Sequence, residues 1–172
     1  MILTKYIACI CEGAAEQAII EILLENDRLI FTEDDLLDGE VIRCRSAGNF
    51  EQQHLRKGFT EKITVLRILD SRREKFTLSK AYASKIEVIN IITAPEIEML
   101  VIFNENKYSE FKKSKLKPSD FCIKHLHMKA VKNKNFVKEY FSDIESLVSS
   151  IREYKRISNV PSGELTLADL LK

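Results

Sequence analysis

The sequence predicts an α/β fold: a mostly parallel central sheet with helices on both faces, followed by a helical C-terminal region. Three observations carry this. The runs YIACIC, ITVLRIL and EVINIIT are almost continuously apolar and β-prone, as strands buried on both faces are. Each is followed by a polar break before the next element begins, and a parallel pair needs such a crossover. Beyond Phe111 the strand pattern stops and only helical periodicity remains.

Tyr6 to Cys11 forms the first predicted strand, and Glu12-Gly13 breaks it. A helix follows, with Ala15, Ala18, Ile19, Ile22 and Leu23 on one face and Glu21 and Glu25 on the other. Cys9 and Cys11 alternate along the strand and point the same way, which makes them core thiols. Leu29 to Phe31 and Glu40 to Arg45 read as short strands around TEDDLLDG, a turn with room for one helical turn. Asn49 to Gly58 reads as a short polar helix with Asn49 as its N-cap. ITVLRILD is a buried strand ending on an acid, SRREKFTL a charged loop and SKAYASK a short helix. After the strand EVINIIT, Pro95 suits the first turn of a helix PEIEMLVIFNENKYSEF. KPSDFCIKHLHMK, NFVKEYFSDIESLVSSIREYK and LTLADLLK read as the closing helices.

The chain of 172 residues suits a single domain, 1–172, with an α/β core over 1–111 and a helical extension over 112–172. An apolar share of 45% against 31% charged excludes long disorder. No stretch approaches the roughly 20 apolar residues of a membrane span, and the first apolar run reads as a strand rather than a signal. The expected setting is cytoplasmic, with no membrane partner. No G-x-G-x-x-G, P-loop or G-x-S-x-G is present, which disfavours the nucleotide and hydrolase folds built on them. Cys122, His125 and His127 have metal-friendly types but no fourth ligand at a sensible spacing.

Parallel sheets bind ligands at the carboxyl ends of their strands. The residues standing there are Glu12, with Glu16 one helical turn later, Asp70 with Ser71 and Arg72, and Pro95 with Glu96. Converging carboxylates suit a hard divalent cation such as Mg2+, or an acid/base pair. They equally suit helix caps and ion pairs with nearby arginines.

IACICEGAAEQAIIEILL resembles the first motif of Toprim (topoisomerase-primase) domains, an apolar strand ending in glutamate and glycine before a helix, with Glu12 as that glutamate. ITVLRILD resembles the strand of the Asp-x-Asp motif, with Asp70 as its first aspartate and Arg72 where the second would stand. APEIEMLVIF is similar to the proline and glutamate motif of small stand-alone Toprim-like proteins from mobile-element and phage-defence loci, with Glu96 and Glu98 matching loosely. The resemblance spans about residues 5 to 111 and implies a Toprim/Rossmann-like domain in which Glu12 and Asp70 bind Mg2+. It implies phosphodiester cleavage, joining or strand synthesis on DNA or RNA; in a Mg2+-dependent nuclease Glu16, on the same face as Glu12, would serve as second ligand or general base, with Glu96 and Glu98 behind them. Arg72 opens a second course, a module that binds a protein or nucleic acid without cutting, its guanidinium paired with Glu12 or Asp70.

Charge is uneven. Residues 12 to 40 hold ten acids against Arg28, whereas residues 107 to 138 hold ten lysines against two acids, Glu110 and Asp120. Lys112, Lys113, Lys115 and Lys117 beside Tyr108 and Phe111 are the pattern a phosphate-tracking surface needs, with nucleic acid as the expected partner, and equally the pattern of lysines that solvate two helices whose phenylalanines face the core. The two halves also permit head-to-tail contact in a homo-oligomer, or docking of an acidic protein.

Overall fold

A computed structural model of the protein describes residues 3–55 and 59–172. Four parallel strands form one sheet: β1 (Tyr6–Cys11), β2 (Ile42–Arg43), β3 (Ile63–Leu69) and β4 (Ile86–Ile92), in the order β2-β1-β3-β4. The chain starts in the middle, winds to β2 on one side, then crosses to β3 and β4 on the other. This reversal leaves a crevice past the carboxyl ends of β1 and β3, where ligands of doubly wound sheets bind. The register pairs Cys11 with Ile68, so Glu12 and Asp70 leave adjacent strands almost level with each other.

Side-chain alternation divides the apolar residues into two cores. Ile7, Cys9, Cys11, Leu66, Ile68 and Ile91 face a large core closed by α1 (Ala14–Glu25) and by the elements after β4. Ala8, Ile10, Ile42, Ile63 and Val65 face a smaller one, covered by α2 (Ala47–His54) and by Phe76, Leu78 and Tyr82. The expected α/β class with helices on both faces and a helical C-terminal region is therefore the architecture present. Both β1 cysteines lie in the large core, as their alternation predicts.

Several local expectations change. Helix α2 begins two residues earlier than expected, because the Ser46 hydroxyl accepts from the Asn49 N–H at 3.2 Å and takes the cap role expected of Asn49. The expected end of that helix at Gly58 lies outside the described residues. Leu29 makes one isolated bridge, and TEDDLLDG holds a 3-10 turn, Glu33–Asp35, closed by a reciprocal Thr32–Asp35 capping box. SKAYASK is a series of turns: the N–H groups of Tyr82 and Ala83 both bond the Ser79 carbonyl, and the crossover to β4 contains no helix.

The helix expected from Pro95 begins only at Met99. Pro95 follows a cis bond, and Met99 and Leu100 donate to carbonyls three residues back, so a tight lead-in precedes α3 (Met99–Asn104). Asn106, at φ 56°, then separates α3 from α4 (Tyr108–Ser114), since asparagine tolerates the left-handed conformation that ends a helix. Beyond α5 (Pro118–His125), the helix expected over residues 135–155 divides into α6 (Lys134–Tyr140) and α7 (Ile144–Ile157), the second capped by Asp143. The last expected helix is a 3-10 turn, Leu167–Leu170.

These C-terminal helices complete the large core rather than decorate it. Phe121, Val137, Phe141, Leu147, Ile151 and Leu170 are buried among the strand and α1 side chains. The last residues tie the edge strand β4 to the segment after α1: Ile92 N–H donates to the Leu165 carbonyl at 2.8 Å, and Ile30 N–H to the Leu170 carbonyl at 2.9 Å. Among the described residues no helix is long and apolar enough to cross a membrane.

Candidate functional site

Glu12, Glu16, Asp70 and Glu98 line one cavity of about 170 Å³ at the β1/β3 crevice, with Arg45 and Lys132 at its rim. Each carboxylate arrives from a different element. Glu12 follows β1 directly, Glu16 lies in the first turn of α1, Asp70 follows β3, and Glu98 stands just before α3. Gly13 leaves room for the second of these, since a Cβ there would collide with the Glu16 carboxylate.

Glu12 pairs with Arg67, which strand reading alone does not single out. On β3 Arg67 shares the parity of Ile63 and Val65, so its side chain enters the smaller core and is only 2% exposed. A buried guanidinium needs compensation. It sits 3.4 Å from Glu12 and 3.6 Å from Glu74, and packs against the Phe76 ring at 4.6 Å. A charge within a seven-residue buried strand whose other polar residue is Thr64 was the available signal.

Burial pushes the Glu12 carboxyl up to about 7, helped by a hydrogen bond with Glu74 and by the charges of Glu74 and Asp70, against the opposing pull of Arg67. Glu98, only 4% exposed, is likewise pushed up to about 7, chiefly by burial. Glu16 shifts upward for the same reason. Two carboxyls poised near neutral pH are equipped to give or take a proton.

The other residues singled out in the sequence lie elsewhere. Arg72 does not pair with Glu12 or Asp70. It makes a bidentate pair with Glu164 at 2.6 and 2.8 Å, beside the β4 edge. Glu96 turns away from the cavity, where its Oε2 accepts from the Ser119 N–H at 2.9 Å and secures the start of α5. Lys112, Lys113, Lys115 and Lys117 are exposed around α4 and do not line the cavity. Part of the charge asymmetry is spent inside the molecule: Lys134 reaches Glu21 at 2.6 Å, and Lys138 reaches Glu21 at 3.0 Å and Glu25 at 2.9 Å, binding α6 to α1.

In kind, the oxygen donors fit a hard divalent cation. In placement they do not: among the described residues no three Asp, Glu, His or Cys side chains gather closely enough to hold one ion.

No family model, curated protein or solved structure matches this chain.

Proposed function

We propose that the protein is a Toprim-like nucleic-acid-processing protein that hydrolyses phosphodiester bonds at the β1/β3 crevice, in a cytoplasmic defence or mobile-element setting. The observation that carries this reading is the convergence of Glu12, Glu16, Asp70 and Glu98 on one cavity, with Glu12 and Glu98 held near pH 7. Glu12 serves as the proton-transfer group, and Arg67 keeps it oriented on its strand end. The Mg2+ that the Toprim resemblance implies would take Glu12 and Asp70 as ligands. Their placement gathers no third donor, so the proton chemistry is assigned to the carboxyl groups alone.

The test is incubation of the purified protein with DNA and RNA substrates in Mg2+, Mn2+ or EDTA. Cleavage is expected, falling by about 10²–10⁴-fold in Glu12→Gln. The EDTA arm reports whether a metal takes part, and intact substrate under every condition sinks the reading.

A second reading has an observation of its own. The Arg67–Glu12 pair occupies the carboxylate that a metal would need, which supports a Toprim-like module that binds nucleic acid or a protein without cutting. Salt-sensitive binding with no cleavage is its signature.

A further inference from the structure

The carboxylate cavity does not end at Arg45. A second cavity of about 440 Å³ shares Glu12 and Arg45 with it and extends over Arg43, Asn49 and Gln53. Together they form one trough from the β1 strand end, past the end of β2, to the outer face of α2. Its chemistry is regular. Ile42 and Cys44 are buried while Arg43 and Arg45 are exposed, and both arginines line the trough, Arg43 from β2 and Arg45 from the bend just past it. Asn49 and Gln53 are four apart on α2, hence on one face of it, and both are exposed.

The arginines paired with carboxylates are Arg28, Arg67, Arg72 and Arg156. Among the described residues Arg43, Arg45, Arg73 and Arg152 have no carboxylate within the 4.0 Å of an ion pair, and of these Arg43 and Arg45 line the trough, although acids stand close by in the first cavity. Two unpaired guanidinium forks two residues apart suit successive phosphates, and the amides beside them can bond base or sugar edges. By contrast, the exposed lysines of α4 line none of this trough.

We infer that the trough over Arg43, Arg45, Asn49 and Gln53 is the path of a single nucleic-acid strand, two of whose phosphates sit on the arginines while the next phosphodiester lies over the carboxylates. This rests on the proposed nucleic-acid reading and deepens it by naming where the strand runs. A single strand leaves its base edges free for Asn49 and Gln53, and the forks give it sequence-independent grip.

The experiment is a fluorescence-anisotropy titration of labelled single-stranded DNA and RNA of about ten nucleotides, in EDTA, at salt between about 50 and 200 mM. Arg43→Ala/Arg45→Ala should weaken binding by at least about tenfold and lower the salt slope by about 1.4, the loss expected for two single-strand phosphate contacts. Arg43→Lys/Arg45→Lys keeps both charges and should restore the slope. Both positions are exposed, and matched thermal melts confirm that the variants fold. Unchanged binding in the alanine variant overturns the path, as does a wild-type protein that binds neither strand. The path is equally overturned if the whole loss falls on Lys112→Ala/Lys113→Ala/Lys115→Ala/Lys117→Ala. A strand held through Arg43 and Arg45 but never cut keeps the path and sinks hydrolysis; a strand cut while the alanine variant binds normally does the reverse.

Discussion

Arg67 on β3 and Glu12 at the end of β1 lie 3.4 Å apart on the same side of the sheet, joining the smaller core to the floor of the cavity. Removing one member of a buried pair strands the other, at a cost of about 3–5 kcal/mol. Arg67→Ala should therefore destabilise the protein by about that amount in urea denaturation, with Arg67→Met losing less because it fills the space against Phe76. Since Arg67 pulls the Glu12 carboxyl down, either variant should raise that group above about 7, as read from its carbon resonance. A Glu12 that titrates unchanged means that the pair has no influence.

Glu98 should make stability fall as pH rises. Its carboxyl ordinarily titrates near 4.5 and in the fold near 7, so across that window the folded state holds the proton that the unfolded chain has released. Stability drops through the window and levels off above it, and Glu12 acts in the same direction. Urea midpoints of wild type and Glu98→Gln should diverge between about pH 5 and pH 8, the variant ending more stable by on the order of 1–3 kcal/mol. Parallel pH curves contradict the buried placement of this carboxyl.

Glu96 and Glu98 are two residues apart and do different work. Glu96→Ala removes the acceptor for the Ser119 N–H and should cost about 1 kcal/mol in thermal melting, as the loss of a helix cap does, while leaving cleavage or strand binding intact. Glu98→Gln should reduce activity. Equal loss of activity in both variants would mean that the cavity depends on Glu96 as well.

Lys134 and Lys138 hold α6 to α1, and neither lines the trough. Lys134→Ala/Lys138→Ala should lower stability by about 1 kcal/mol, less at high salt, because exposed pairs are weak and screened. Strand affinity should change by less than about twofold on the same grounds, the charges being already neutralised by Glu21 and Glu25. A large loss of affinity would place these lysines on the nucleic acid.

Legibility followed the range of the forces involved. The three long strands and α1 were readable because continuous apolar runs and helical spacing are local patterns. Break points were harder. A serine hydroxyl displaced Asn49 as cap, and Asn106 cut one expected helix in two, each decided by a single hydrogen bond or one left-handed residue. In the cavity, Glu12, Glu16 and Asp70 were legible from their strand and helix positions, whereas no strand-end position marked Glu98. Arg67, Glu74, Arg43, Arg45 and Lys132 were not, because their relevance lies in what they meet across the fold.

By itself the sequence determined the α/β class, the apolar strands and the acids that leave their carboxyl ends, since all of these follow from periodicity along the chain. Partner choice was decided only by the tertiary structure. Arg72 was expected beside Glu12 or Asp70 and went to Glu164, while Arg67 reached Glu12 from 55 residues further along the chain, on the neighbouring strand. Which charges end up within ion-pair distance depends on strand order and register. Those are set by the packing of both cores together, not by any residue's neighbours in sequence.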